Sequence, residues 1–322
     1  MRYRIFGRTG IRISEIGFGC WAIGGGWGPR DDQEAVESIR LSIQEGVTFL
    51  DTALAYGQGH SEQLLARALH DIWSKVTVAT KIPPKNWVWP ARYDSKIHNI
   101  FPEKWIMECT EKSLKHLGVD CLDLQQFHVW TDTWMENDEW KEAVSSLKKE
   151  GKIRCFGISI NDHEPESALK AVESGLIDSV QVIFNIFDPS PQDKLFPLCQ
   201  KKNIGVIARV PLDEGGLSGN LEPHTQFDRN DWRREYFQGS HLKETCERAE
   251  KLKKFLIRDE IKTLPQAALK FCLSHPAVST VIVGMRKSTH VKMNCAVSDG
   301  IYLKPEELKE LEKHSWRRNF YH

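Results

Sequence analysis

Short runs of apolar and β-branched residues recur along the chain, and a stretch with helical periodicity follows most of them. Eight runs predict strands that begin near residues 14, 47, 75, 121, 153, 179, 205 and 279. Between them, segments such as SEQLLARAL (61–69) carry apolar residues three or four positions apart and predict amphipathic helices. Regular alternation of strands and helices is typical of a parallel sheet covered by helices.

This alternation predicts an α/β fold of the (β/α)8 TIM barrel type. No linker rich in proline or serine and no run of charge interrupts it, so we predict a single domain over residues 1–322. Residues 3–17, YRIFGRTGIRISEIG, alternate polar and apolar positions on either side of a turn. This pattern predicts a β-hairpin that caps the closed bottom of the barrel.

Composition narrows the class of protein. Lys+Arg and Asp+Glu both number 44, so there is no surplus of either sign to hold a polyanion. No apolar run is long enough to span a membrane, and the N-terminus lacks the apolar core of a signal peptide. The eight cysteines form no CxxC pair and mostly lie in apolar surroundings, which indicates a reducing compartment. We expect a cytoplasmic protein that binds neither nucleic acid nor membrane; its oligomeric state stays open.

Three strand ends and one loop carry the candidate chemistry, because the active site of such a barrel lies at the C-terminal ends of its strands. Asp51 and Lys81 end neighbouring strands, so each can neutralise a charge that would be costly to bury alone. Tyr56 lies five residues beyond Asp51, where the ammonium is expected to lower the pKa of the phenol and make it a general acid. His128, at the end of the fourth strand, is expected to hydrogen-bond the substrate oxygen that receives the Tyr56 proton. Taken singly, each residue is more often a cap, a salt bridge or a loop aromatic.

The combination resembles the aldo-keto reductase superfamily along almost the whole chain. The segment FLDTALAYGQGHSEQLLARAL (49–69) is similar to a signature of that family, with Asp51 and Tyr56 at two positions of its catalytic tetrad. VATK supplies Lys81, and LQQFH supplies His128. The resemblance implies reversible, metal-free reduction of a carbonyl by a nicotinamide cofactor. Tyr56 would protonate the oxygen, Lys81 held by Asp51 would tune Tyr56, and His128 would orient the carbonyl.

The resemblance also implies the residues that hold the nicotinamide end of the cofactor. Ser159, Asn161 and Gln181 follow the fifth strand or lie on the sixth, although Ile160 separates a Ser–Asn pair that is adjacent in relatives. The alternative for Gln181 is a buried amide that ties strands together. Arg209 replaces a tyrosine that stacks on the nicotinamide, and a planar guanidinium can stack there too, less favourably on the positive oxidised ring. Further predicted cofactor contacts are Trp21, Asp51, Pro211, Leu212, Gly216, Gly284, Arg286, His290 and Asn294.

Two segments are expected to hold the cofactor phosphates. Residues 212–219 would fold across the pyrophosphate, where their glycines permit close backbone approach. Residues 283–294, VGMRKSTHVKMN, look like the family's turn into a helix at the adenosine phosphate. Arg286 and Lys287 favour a 2′-phosphate, hence NADPH, with NADH the weaker candidate. The alternative is a solvated basic turn.

Three long connections leave the mouth and hold many of the 11 tryptophans. They are residues 82–102, 129–139 and 213–240, and their aromatic side chains favour a bulky, apolar or ring-bearing carbonyl or alcohol. The predicted substrate contacts are Trp21, Tyr56, Trp89, His128 and Trp130. For any single tryptophan, the alternative is that it packs a loop onto the barrel. An alternative function is a redox-sensing nucleotide-binding subunit with little turnover, like the potassium-channel β-subunits of this superfamily.

Overall fold

A computed structural model describes residues 1–25, 27–28 and 30–321. Eight of its strands close into a parallel barrel in which each strand pairs with the next along the chain and the last pairs with the first. The predicted (β/α)8 fold is therefore confirmed. The strands are β1 (Tyr3–Ile5), β2 (Arg12–Ser14), β3 (Ile16–Gly19), β4 (Phe49–Asp51), β5 (Thr77–Ile82), β6 (Leu122–Phe127), β7 (Ile153–Ser159), β8 (Ser179–Ile183), β9 (Gly205–Arg209) and β10 (Val278–Gly284).

Helices lie in the connections between the strands and surround the barrel. They are α1 (Trp21–Gly24), α2 (Asp32–Gln44), α3 (His60–Leu69), α4 (Ile97–Ile100), α5 (Glu103–Leu117), α6 (Glu139–Lys149), α7 (Leu169–Ser174), α8 (Leu195–Lys202), α9 (Arg233–Tyr236), α10 (His241–Leu256), α11 (Leu264–Ser274), α12 (Ser288–Cys295) and α13 (Pro305–Leu311). In the described ranges, no helix is long and apolar enough to cross a bilayer.

The N-terminal hairpin closes one end of the barrel, as predicted. Strands β1 and β2 pair antiparallel, and the adjoining Phe6 and Ile13 are fully buried in one apolar cluster with Phe49. A Cβ on Gly205 would come within 2.5 Å of the Phe6 ring, so only glycine fits there. Because Phe49 and Gly205 begin their strands, the hairpin covers the N-terminal end of the barrel. The opposite end remains for the site.

The strand register brings the candidate residues together at that opposite end. Asp51 is the last residue of β4 and lies opposite Ala79 of β5, two residues before Lys81. Ser159, the last residue of β7, lies opposite Gln181 of β8. Arg209 ends β9. Residues far apart in the chain therefore share one mouth.

Candidate active site

Lys81 and Asp51 form a buried ion pair at the barrel mouth. The Lys81 side chain is fully buried, Asp51 is 2% exposed, and Lys81 Nζ donates to Asp51 Oδ2 at 2.6 Å. The ammonium also donates to the Thr52 carbonyl at 2.8 Å. The two hydrogen bonds and the opposite charge offset much of the cost of burying the ammonium.

Tyr56 lies beside this pair. Its hydroxyl is 3.5 Å from Lys81 Nζ, at the long end of hydrogen-bond distance. Tight packing behind the side chain positions it, because a Cβ on Gly24 would lie 2.7 Å from Tyr56 Cβ. The following glycines have φ of 63° and 92° at Gly57 and Gly59, which turn the chain from the Tyr56 loop into α3.

His128 completes the group that the sequence predicts. Its ring lies 5.6 Å from the Tyr56 ring, edge to face, and Nδ1 is buried without a partner in the described part of the chain. Burial, followed by the positive charges of Lys81 and Arg209, holds the pKa of His128 well below its usual value. The imidazole is therefore neutral at physiological pH, so it can orient an oxygen through one N–H but is a poor source of protons.

The expected lowering of the pKa of Tyr56 by Lys81 is not found. Burial, followed by the charge of Asp51, raises the pKa of the Tyr56 phenol well above its usual value. Burial itself disfavours the charged phenolate, and Lys81 is not a main cause of the shift. Tyr56 therefore stays protonated at neutral pH. Because an alkoxide is a stronger base than a phenolate, such a phenol still suits protonation of an oxygen on which negative charge develops.

A chain of hydrogen bonds extends from Asp51 across two further strands. Gln181 Nε2 donates to Asp51 Oδ1 at 2.7 Å, and Ser159 Oγ donates to Gln181 Oε1 at 3.4 Å. The alternative given for Gln181, an amide that ties strands together, describes these contacts. Both oxygens of Asp51 thus have partners, which fixes the carboxylate that holds Lys81.

Asn161 has a different set of partners from those expected. Its Oδ1 accepts from the Ala91 backbone N–H at 2.9 Å, and its Nδ2 donates to the Ala91 carbonyl at 2.8 Å and to Glu164 at 3.0 Å. The amide holds the long loop that follows β5. A carboxamide contact by Asn161 would compete with these three hydrogen bonds.

Arg209 lies at the mouth in a pair that the sequence did not predict. Its Nη2 donates to Asp162 Oδ1 at 2.6 Å and to the Ile160 carbonyl at 3.1 Å. The signal for Asp162 was available, since an acid directly follows the end of β7 in GISIND. The guanidinium is held at the end of β9 by two contacts from the loop after β7, two strands away in the barrel.

The loop after β9 contains two buried acids that were not singled out. Pro211 and Gly216 are buried and Leu212 is half-buried, but Asp213 and Glu214 are each only 5% exposed. Burial raises the pKa of Asp213 to about 6 and that of Glu214 to about 8. Both accept tyrosine hydroxyls, from Tyr236 and Tyr321 respectively. A loop expected over a pyrophosphate thus carries carboxyl groups, which are compatible with an anion only while protonated.

The segment after β10 is hydrogen-bonded to another loop of the protein. Arg286 Nη1 donates to the Trp27 carbonyl at 2.6 Å, and Trp27 also forms a β-bridge with Asp231. Trp27 is thus joined both to the segment after β10 and to the long loop after β9. Gly284 and His290 are exposed, whereas Asn294 is buried in α12. The expected adenosine segment therefore lies against Trp27.

The predicted tryptophans separate into two groups. Trp21 lies 6.5 Å from the Tyr56 ring and lines, with Tyr56, Arg30 and Asn230, a cleft of about 460 Å³. Trp89 packs edge to face on His128 at 5.7 Å. Both lie beside the tetrad residues.

Trp130 lies elsewhere, which argues against its predicted contact with substrate. It is fully buried, its ring lies against Phe127 and Trp134, and its N–H donates to Asp132 at 3.1 Å. The loop turns inward after His128, so this indole packs the loop onto the barrel. Trp232, 5.2 Å from Trp21, is an aromatic neighbour of the cleft that was not singled out as a contact.

A family model described as the aldo/keto reductase family matches residues 15–315, nearly the whole chain. The chain belongs to this family. The resemblance seen in the sequence motifs is therefore confirmed, and the protein is an oxidoreductase-family barrel.

Three similar proteins each match 90% or more of the chain. It is similar to the aldo-keto reductase YhdN of Bacillus subtilis (strain 168), at 30% identity over 319 residues, 97% of this chain and 92% of YhdN. It is 28% identical over 305 residues to the NADH-specific methylglyoxal reductase of Escherichia coli (strain K12), covering 90% and 91% of the two chains. An aldo-keto reductase from Klebsiella pneumoniae in complex with NADPH matches with a TM-score of 0.71 and 25% identity, covering 99% of this chain and 96% of that one.

The residues of this aldo/keto reductase fit the nicotinamide end of a cofactor. Arg209 Nε and His128 Nδ1 are buried and have no hydrogen-bond partner in the described residues, although buried polar atoms are normally paired. Both lie at the mouth with Tyr56. In the same ranges, no cluster of three or more His, Cys, Asp or Glu could hold a metal ion.

Proposed function

We propose that the protein reduces an aldehyde or ketone to an alcohol, reversibly, with NADP(H), and that Tyr56 is the general acid. The observation that carries the proposal is the continuous contact of Gln181, Asp51, Lys81 and Tyr56 at the mouth, with His128 beside the phenol. A bound nicotinamide cofactor would supply a hydride to the carbonyl carbon. The protein must then supply a proton and an environment for negative charge.

Each residue has a distinct part in that proposal. Tyr56 gives its proton to the carbonyl oxygen as negative charge develops there, and neutral His128 donates a hydrogen bond that orients the same oxygen. The Lys81 ammonium, 3.5 Å from the Tyr56 hydroxyl, stabilises the phenolate left behind. Asp51 and Gln181 keep the ammonium in position. In the oxidative direction the same groups accept the proton.

NADPH is the proposed cofactor and NADH the second candidate. Arg286 with the adjacent Lys287 supports a 2′-phosphate site, and the Klebsiella relative is in complex with NADPH. The Escherichia coli relative is NADH-specific, which favours the other candidate. Dissociation constants for both nucleotides, measured by fluorescence titration, decide between them.

The proposed substrate is a small carbonyl compound with an apolar or ring-bearing body. The cleft of about 460 Å³ beside Tyr56 is within the usual range for small-molecule sites. Trp21 and Trp89 place aromatic surface next to the tetrad residues. A panel of aliphatic, aromatic and sugar carbonyls tests this class.

The deciding experiment is rapid mixing of the NADPH complex with the carbonyl panel, for the native protein and for Tyr56→Phe. We expect the native protein to consume NADPH, and Tyr56→Phe to be slower by at least about 10²-fold because the proton donor is absent. Tyr56→Phe should bind NADPH as the native protein does. Normal turnover by Tyr56→Phe would refute the role of the phenol. Tight NADPH binding without turnover of any carbonyl would favour the nucleotide-sensing alternative.

A further inference from the structure

The charge at the end of β9 is an unusual feature of this mouth. The Arg209 side chain is 17% exposed and that of its partner Asp162 is 16% exposed. The salt bridge and the Ile160 carbonyl use only Nη2 of the guanidinium. Nε is buried and, within the described ranges, has no partner. The guanidinium therefore keeps one buried N–H without a partner, while its delocalised charge is opposed by Asp162.

The charge of Arg209 acts on three of the tetrad residues. Burial and Lys81 lower the pKa of His128, and Arg209 adds to that shift while Asp162 is not a cause of it. Burial lowers the pKa of Lys81, Asp51 opposes this, and Arg209 again adds to it. For Tyr56, burial and Asp51 raise the pKa and Arg209 opposes them. The guanidinium thus acts on all three groups.

Other charges near the tetrad do not cancel this effect at neutral pH. Asp51 is bonded to Lys81. Burial raises the pKa of Glu214 to about 8, so this carboxyl is mostly uncharged there. Tyr321, which donates to Glu214, has its pKa raised well above the usual value by burial. Asp162 and Asp213 carry charge at neutral pH, but neither is among the causes that shift the pKa of Tyr56, Lys81 or His128, whereas Arg209 is a cause for all three.

Hydride transfer changes the charge of the nicotinamide ring. The hydride leaves with its electron pair for the carbonyl carbon, the Tyr56 proton goes to the oxygen, and a neutral ring becomes positive. For transfer to a carbonyl held at Tyr56, the ring has to lie next to that carbonyl. It is then within the range of a charge that acts on Tyr56, and low-dielectric surroundings strengthen the repulsion of a cation.

We propose that Arg209 is a specificity-determining residue that makes the site bind the reduced nicotinamide cofactor in preference to the oxidised one, and that Asp162 limits the effect. The inference rests on the proposed function. Its consequence is that oxidised cofactor is released readily after each reduction. The same repulsion opposes catalysis in the direction of alcohol oxidation.

The test is equilibrium titration of NADPH and NADP⁺ against the native protein, Arg209→Gln, Arg209→Lys and Asp162→Asn. We expect Arg209→Gln to lower the ratio Kd(NADP⁺)/Kd(NADPH) about tenfold, which corresponds to about 1.4 kcal/mol. Arg209→Lys retains the charge and should keep most of the native ratio. Asp162→Asn removes the counter-charge and should raise the ratio. As a matched control, Arg40→Gln breaks a surface pair with Asp71 and should leave it unchanged.

The outcomes separate this inference from the proposed function. If both nucleotides bind and the ratio is the same in Arg209→Gln and Asp162→Asn as in the native protein, the inference is overturned. If the native protein binds neither nucleotide, the proposed function fails first. Should Arg209→Gln not fold, as judged by circular dichroism, Asp162→Asn decides alone: a raised ratio supports the inference and an unchanged or lowered one overturns it.

Discussion

Asp51→Asn tests the central contact of the proposed site. The native carboxylate accepts from Lys81 Nζ at 2.6 Å and from Gln181 Nε2 at 2.7 Å, one bond on each oxygen. Asparagine retains a single oxygen, so its amide group must face one of these two donors. Lys81 then keeps the Thr52 carbonyl but loses its counter-charge. The substitution therefore leaves an unpaired ammonium in a fully buried position.

The expected loss of stability follows from this arrangement. Removing one partner of a buried ion pair costs about 3–5 kcal/mol, because the other charge stays desolvated. For a chain of 322 residues, an unfolding entropy of about 0.7 kcal/mol/K converts this into a Tm lowered by roughly 4–7 °C. Thermal unfolding followed by circular dichroism at neutral pH measures it.

A double variant supplies the control for this experiment. Asp51→Asn combined with Lys81→Met leaves no charge unpaired, so we expect it to be more stable than Asp51→Asn alone. If Asp51→Asn unfolds within about 1 kcal/mol of the native protein, the magnitude typical of an exposed pair, Lys81 is not buried as an ammonium. The ionic description of the tetrad would then be refuted.

Two further substitutions test the surroundings of the site. Glu214 has a folded pKa of about 8, above its unfolded value of about 4.3, so the stability it contributes is present below the unfolded pKa and lost as pH rises through about 8. The unfolding temperature should therefore fall less between about pH 5 and pH 8 in Glu214→Gln than in the native protein. Equal falls in the two proteins would contradict a buried, protonated Glu214. Trp130→Ala should cost about 3–5 kcal/mol in unfolding free energy because it leaves a cavity. Its KM for carbonyl substrates should be unchanged, and a raised KM would place the indole at the substrate after all.

The barrel was predictable because each strand and most helices have a recognisable local sequence pattern. Buried parallel strands are short apolar runs, and the covering helices have their own period. Helix α10 escaped prediction because it follows a long loop and its sequence, HLKETCERAEKLKKFL, is dominated by charged residues. Its buried residues, which include Leu242 and Leu252, do recur three or four positions apart, but they are sparse among the charged residues.

The site was predictable to the level of residue positions but not of contacts. Strand ends in a closed barrel necessarily share one mouth, so Asp51 and Lys81 could be brought together from sequence. The raised pKa of Tyr56 depends first on burial and then on several nearby groups, Asp51 foremost, which spacing does not report. Asn161 makes two hydrogen bonds to Ala91, which depend on how the loop after β5 folds back, and a third to Glu164 in its own loop.

The plug formed by Phe6 and Ile13 restricts access to the site. It closes the N-terminal end of the barrel, and the interior of such a barrel is filled with side chains. Under the proposed function, cofactor and carbonyl therefore share one route to Tyr56, from the C-terminal side.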